Sequence, residues 1–120
     1  MTDAATKAPL GAVLLVEDSV IIAMGVEDSL LNLGARTVET VATLAEAEAA
    51  CAGGDYSAYV FDLDLGGESS LSLIQRLVAA GRRVVVTSGS EDNAAPLAAA
   101  GVPVLIKPVT EAALQSALDL

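Results

Sequence analysis

Acidic, hydroxyl and basic side chains stand at the ends of short apolar runs in this chain. Glu17 and Asp18 follow Val13-Leu14-Leu15-Val16, Asp62 follows Tyr59-Val60-Phe61, Thr87 follows Val84-Val85-Val86, and Lys107 follows Val104-Leu105-Ile106. Three carboxylates gathered in one place repel one another, so either their pKa values rise or a cation neutralises them. Oxygen donors without histidine or thiolate favour Mg²⁺ over zinc or copper, and Mg²⁺ typically takes one or two carboxylates, some waters and a phosphate oxygen. Lys107 adds a point charge and Thr87 a hydroxyl donor. Such a set fits phosphoryl transfer, in which positioning and charge neutralisation do most of the work. Asp62 is then the natural nucleophile, because a carboxylate can form an aspartyl phosphate. Taken singly, each residue has a plainer explanation: Glu17 and Asp18 as acids at a helix N-terminus, Asp62 as a solvated strand end, Thr87 as a cap, Lys107 as a surface charge. Their joint occurrence at one sheet edge is what argues for a site.

That edge exists only if the apolar runs are parallel strands of one sheet. Residues 12–16 form a continuous apolar run too short for a helix, which reads as a buried strand. Apolar residues recur with helical spacing over 19–33, and Gly34 supplies a C-terminal stop. The mixed polarity of 35–41 predicts an edge strand. Thr43-Leu44-Ala45-Glu46 has the form of a capping box and opens an alanine-rich helix that ends near Gly53-Gly54. The run 56–61 is a third strand, with Asp62 at its carboxyl end and Gly66-Gly67 allowing a sharp turn beyond it. Ser69 or Ser70 caps a third helix running through Leu71, Leu73, Ile74, Leu77 and Val78 to Gly81. Residues 83–87 make a fourth strand. A short helix over 91–100 is weakened by Pro96 unless that residue lies in its first turn. Residues 103–106 make a fifth strand, and Thr110 caps a last helix with Leu114 and Leu118 facing inward.

Five alternating βα units predict an α/β fold: a doubly wound, five-stranded parallel sheet with helices on both faces, two on one and three on the other, joined by right-handed crossovers. In the flavodoxin-like strand order 2-1-3-4-5 the winding reverses between strands one and three, which brings Glu17 and Asp18 beside Asp62. The 120 residues fit one domain, expected over 12–120, behind a loose leader over 1–11.

Composition narrows the function classes. A hydrophobic content of 53% with only 2% aromatic residues implies a globular core of Val, Leu, Ile and Ala. The net charge of -10 repels nucleic acid and anionic membrane and suits metal cations and basic partner surfaces. With no histidine there is no serine–histidine triad, no histidine zinc site and no phosphohistidine on this chain. The single Cys51 forms no intrachain disulfide, in keeping with a reducing compartment. No run approaches the ~18 apolar residues of a membrane helix, and the N-terminus lacks a signal-peptide pattern. The expectation is a soluble, cytoplasmic protein.

On the segments Val13-Leu14-Leu15-Val16-Glu17-Asp18, Val60-Phe61-Asp62-Leu63-Asp64-Leu65, Val84-Val85-Val86-Thr87-Ser88-Gly89 and Val104-Leu105-Ile106-Lys107-Pro108, with Ala100-Gly101-Val102 before the last strand, the chain closely resembles the receiver domain of bacterial two-component response regulators. The resemblance implies that Asp62 accepts phosphate from a histidine kinase or histidine phosphotransfer protein, and that the chain catalyses only its own phosphorylation and dephosphorylation. It further implies that Asp18 and Asp62 bind Mg²⁺ directly, that Glu17 acts through a bound water, and that the backbone carbonyl of Asp64 completes the metal site. The resemblance also implies that Lys107 pairs with the phosphoryl group, held toward the acceptor by a cis bond to Pro108, and that Thr87 moves to hydrogen-bond the phosphoryl group and so reports to the surface of helix four, strand five and helix five, where a downstream protein would bind. A stand-alone regulator and an isolated receiver fit equally. The chain departs from the family pattern at Gly66, where proline is usual, at Ser70, where glycine is usual, and at Val104, where many members carry an aromatic switch residue.

Two other readings compete. Asp62-Leu63-Asp64 also looks like the DxD motif of haloacid-dehalogenase-type phosphatases, but that family places this strand near its N-terminus and leaves Glu17 and Asp18 unexplained. A pseudo-receiver, an interaction module that never carries phosphate, would have no need of the full acid, threonine and lysine set. Partner contact is expected on helix one. Its inward face should be Ile22, Val26, Ser29 and Leu33, which leaves Val20, Ile21, Ala23, Met24 and Leu31 wholly or partly outside as an apolar surface. Such a surface suits docking against the helical bundle that carries a donor histidine, with a homodimer through the same patch as the alternative and cover by helix five as the plainer explanation.

Overall fold

The computed structural model describes residues 10–120. The runs of Val, Leu and Phe form strands β1 (Ala12–Val16), β2 (Thr37–Val41), β3 (Ala58–Asp62), β4 (Val84–Ser88) and β5 (Val104–Ile106), all parallel, in the order 2-1-3-4-5. The expected fold class and strand order are both observed. Helices α1 (Val20–Asn32), α2 (Leu44–Gly53), α3 (Leu71–Ala79), α4 (Glu91–Ala99) and α5 (Glu111–Ala117) connect the strands or, in the case of α5, follow the last one.

Alternation along the central strands splits the core into two layers. Leu14, Val16, Tyr59, Phe61, Val84 and Val86 face Ala47 of α2, Leu73, Ile74 and Leu77 of α3, and Ala94 and Leu97 of α4. Val13, Leu15, Val60 and Val85 face Ala23, Val26 and Leu30 of α1 and Leu114 of α5. The helices therefore divide three and two, as the alternation predicts. β2 is an edge strand of mixed polarity, with Thr37, Glu39 and Thr40 exposed.

Local signals hold at most helix starts. Ser19, Thr43, Ser90 and Thr110 each accept a backbone N–H of the first turn, and Thr43 with Glu46 forms the full capping box. Bonds from the Ala42 and Thr43 N–H groups hold the Glu46 carboxyl below the usual carboxylate range. Two details differ from expectation. Pro96 lies inside α4, beyond its first turn, yet the helix continues to Ala99. The proline sits on the exposed side, between the buried Ala94 and Leu97, where tertiary packing of its neighbours outweighs the lost N–H.

The second difference is on α1. Its buried face is Ala23, Val26 and Leu30, not the expected Ile22, Val26, Ser29 and Leu33. The helix is apolar nearly all round its first two turns, so its pattern points in no single direction. The small Ala23 turns to the sheet, and Ile22 is left partly exposed.

Of the expected leader, residues 1–9 lie outside the described residues. Leu10 is buried in the α1 and α5 layer and Gly11 donates its N–H to Ser57 Oγ at 3.2 Å, so both pack with the sheet.

Candidate functional site

Parallel strands in register carry their carboxyl ends to one edge. Val16 stands beside Phe61 and Asp62 beside Thr87. The next residue on each side is tied in by backbone bonds: Glu17 N–H to the Val41 carbonyl at 3.0 Å, Leu63 N–H to Thr87 at 2.9 Å, and Lys107 N–H to Ser88 at 2.8 Å. The sheet thereby sets the starting points of the acidic, hydroxyl and basic side chains.

Glu17, Asp18 and Asp62 each bring one carboxylate oxygen within 4.8 Å of the others. Asp62 is 3% exposed and Glu17 4%, while Asp18 lies at the open rim. Lys107 reaches across to both buried acids, with its Nζ 2.9 Å from Asp62 Oδ2 and 3.1 Å from Glu17 Oε1. The peptide bond between Lys107 and Pro108 is cis. Burial pulls the Lys107 pKa down, but its bonds to Asp62 and Glu17 outweigh that, and the net movement is upward. Burial raises the Glu17 carboxyl, a rise opposed by the Ser19 N–H at 3.1 Å and by Lys107, and reinforced by the nearby Asp62 charge.

The second oxygen of Asp62 is held as well. Oδ1 accepts the Asp64 N–H at 3.1 Å. The Asp64 carboxylate itself points elsewhere, accepting the Gly67 N–H at 3.1 Å, and is not part of the three-acid cluster. Thr87 is buried, directly across the β3–β4 pair from Asp62.

Ser70 contributes in a way its place at a helix start does not suggest. Ser70 precedes α3 but makes no side-chain cap. Its hydroxyl instead donates back to the carbonyls of Asp62 at 2.8 Å and Leu63 at 3.2 Å. The neighbouring Ser69 Oγ takes the Leu71 N–H at 3.2 Å. A pair of adjacent serines at a helix start was the available signal, since only one of them is needed there.

Beside the acids, α1 exposes Val20, Ile21 and Met24, with Ile21 83% exposed. A groove of about 500 Å³ runs from Ile21, Ile22 and Gly25 to Lys107, Pro108 and Val109. The apolar patch expected on α1 is present, except that Ala23 is buried.

A strand-end aspartate with both oxygens engaged, two further acids and a lysine on one sheet edge correspond to a known pattern. The response regulator receiver domain profile matches residues 13–119. The chain belongs to the response regulator receiver domain family. Solved structures repeat its fold. SdrG from Sphingomonas melonis Fr1 is 34% identical, with a TM-score of 0.76, over 93% of this chain and 96% of that one. A response regulator from Burkholderia pseudomallei with a phosphorylated aspartic acid and a calcium ion is 26% identical, with a TM-score of 0.77, over 90% of this chain and 66% of that one. The receiver domain of a sensor histidine kinase from Pseudomonas aeruginosa PAO1, with a magnesium ion coordinated in its active site cleft, is 25% identical, with a TM-score of 0.77, over 93% and 96%. No curated protein matches the chain. Among the described residues no helix is long and apolar enough to cross a membrane.

Proposed function

We propose that this receiver is the phosphoacceptor of a phosphorelay, with Asp62 taking a phosphoryl group from a phosphohistidine on a histidine kinase or histidine phosphotransfer protein. The observation that carries this reading is the buried Asp62 carboxylate held at both oxygens, by Lys107 and by the Asp64 N–H. An Asp62 oxygen forms the new P–O bond as the donor's P–N bond breaks, and the bonding pair leaves with the imidazole, which takes up a proton. The Lys107 ammonium, already bonded to Asp62, is placed to follow the charge onto the phosphoryl oxygens. The Thr87 hydroxyl donates to a phosphoryl oxygen and carries the change to α4, β5 and α5, the face to which a downstream protein binds. Val104 replaces the usual aromatic there, so Thr87 acts without an aromatic partner at that position.

The donor set fits Mg²⁺. Three carboxylate oxygens converge within 4.8 Å, with no histidine or thiolate among them. Asp18 and Asp62 would hold the ion directly, Glu17 through a water, and the Asp64 carbonyl would complete the set. Bound there, Mg²⁺ supplies neutralisation of the charge spread over the transferring group. The chemistry is confined to the chain's own phosphorylation and dephosphorylation.

The donor docks on α1. Val20, Ile21 and Met24 form an apolar face that continues through the groove to Lys107, so a helical bundle seated there presents its histidine at Asp62. A location in the cytoplasm follows from this reading. The reading is tested by labelling with acetyl phosphate and Mg²⁺. Wild type should gain one acid-stable, hydroxylamine-labile phosphoryl group, and Asp62→Asn should gain none. A protein that never labels, from acetyl phosphate or from any histidine donor, would be a pseudo-receiver.

A further inference from the structure

We infer that Ser70 is a positioning residue for the acid site, acting through a clamped hairpin that no assigned site residue explains. After Asp62 the chain does not run straight into α3. It folds into a two-stranded antiparallel ribbon, Asp64–Leu65 against Glu68–Ser69, closed by Gly66 and Gly67. Both glycines have positive φ, 60° and 94°, the signature of the tight hairpin turn whose twist matches its strands. The ribbon is anchored from below by Leu65, buried in the core, and at its base by Ser70, which is 0% exposed. The Ser70 hydroxyl donates to the Asp62 and Leu63 carbonyls, and its N–H donates to the Leu63 carbonyl at 2.9 Å. The two ends of the loop are thus tied together at the residue that carries the acceptor carboxylate.

The ribbon touches the acids at two points. The Asp64 N–H fixes Asp62 Oδ1 at 3.1 Å. At the turn, a Cβ placed on Gly66 would stand 3.6 Å from Asp18 Oδ2, so the hairpin tip lies against the rim acid. One ribbon therefore spans both carboxylates, and beside the buried Leu65 and the Ser70 N–H bond to Leu63, the Ser70 hydroxyl is the group that ties its base to the Asp62 carbonyl. Removing that hydroxyl leaves the buried Asp62 carbonyl short of a donor and frees the ribbon to pivot, which shifts the Asp64 N–H from Asp62. Ser70 touches neither phosphoryl group nor metal; its effect passes through Asp64 and Gly66. The functional part of this inference rests on the phosphoacceptor reading above, and the structural part does not.

The test compares Ser70→Ala with wild type and with Ser69→Ala, whose hydroxyl lies outside the clamp. Amide hydrogen exchange without metal or phosphodonor is read first. Ser70→Ala should speed exchange at Asp64 at least about tenfold while Val60 and Phe61 in β3 stay protected, and Ser69→Ala should leave Asp64 unchanged. Equal protection of Asp64 in wild type and Ser70→Ala overturns the inference whatever the phosphorylation chemistry. The Mg²⁺ dissociation constant, from isothermal titration calorimetry where both proteins are folded, is read second, and should rise several-fold in Ser70→Ala. A lower melting temperature with the same Mg²⁺ dissociation constant would mean that Ser70 only supports the fold, and would overturn its positioning role. Should Ser70→Ala not fold, Ser70→Cys keeps the volume with a weaker donor, and the same two readouts apply with smaller shifts in the same direction. Failure of wild type to label at Asp62 would remove the phosphoacceptor reading and leave the exchange result standing.

Discussion

Replacing Lys107 with methionine keeps most of the side-chain volume and removes the one ammonium that the buried acids share. Lys107 Nζ lies 2.9 Å from Asp62 and 3.1 Å from Glu17. At an effective dielectric near 20, each contact is worth about 5 kcal/mol before desolvation is counted. Desolvation of the ammonium and both carboxylates takes back most of that, but the carboxylates stay buried after the substitution. Stripping one partner from a buried ion pair costs about 3–5 kcal/mol. Because the Lys107 side chain is 23% exposed and Asp18 opens the cluster to water, we expect the lower end, about 3 kcal/mol. For a domain of this size that lowers the melting temperature by roughly 12 °C. Urea unfolding followed by circular dichroism, in EDTA and at neutral pH, measures it. Mg²⁺ at a hundredfold excess over its dissociation constant should return about 2.7 kcal/mol, and Glu17→Gln in the same background should recover part of the loss without metal. A Lys107→Met protein as stable as wild type in EDTA would refute the claim that the ammonium balances a repelling cluster. A loss that neither Mg²⁺ nor Glu17→Gln repairs would show that the carboxylates do not converge.

Other expected outcomes are independent of that one. Met24→Glu, on the exposed α1 face, should slow transfer from a phosphorylated donor protein at least about tenfold, as loss of one apolar docking contact implies, with acetyl phosphate labelling unchanged; a parallel fall in both rates would point to damage of the fold instead. Tyr56 donates to Glu39 at 2.6 Å, and that bond, with burial and the Glu39 charge, pushes its pKa up to about 12. A raised folded-state value means the contribution is whole below the ordinary tyrosine value of about 10 and is lost as pH rises through about 12. Tyr56→Phe should therefore cost about 0.5 kcal/mol, equally at pH 7 and pH 9, since Glu39 is exposed. In a Tyr59→Phe background the phenolate absorbance should rise with a midpoint near 12, and a midpoint near 10 would mean that the bond to Glu39 is absent in solution.

The sheet was legible because each strand is a run of apolar, mostly β-branched or aromatic residues ended by a change of chemistry, and alternation makes the strands parallel; the switch between β1 and β3 follows only once the order 2-1-3-4-5 is taken. The acid cluster was legible for the same reason: Glu17, Asp18 and Asp62 sit where the runs stop, so placing the strands places the carboxylates. Features that depend on direction rather than position were harder. α1 carries Val20, Ile21, Ile22, Ala23, Met24 and Val26 in its first two turns, and such a helix offers several possible inward faces; the sheet selects the one with alanine at the close approach. Ser70 at a helix start has the composition of a cap, but its hydroxyl finds the carbonyls of Asp62 and Leu63 at the end of β3, a choice made by the hairpin geometry that Gly66 and Gly67 permit. Pro96 shows the weakness of a local breaker when Ala94 and Leu97 on either side are both held in the core.

Asp62 is proposed as the phosphoacceptor. Intact-mass and peptide mass spectrometry after incubation with acetyl phosphate and Mg²⁺, with borohydride reduction to mark the acyl phosphate, tests it most directly. Wild type should carry a single phosphoryl adduct, reduced at Asp62, and a folded Asp62→Asn protein none. An adduct on Asp62→Asn equal to that of wild type, or a mark at Asp18 or Asp64 in the wild-type chain, would contradict it.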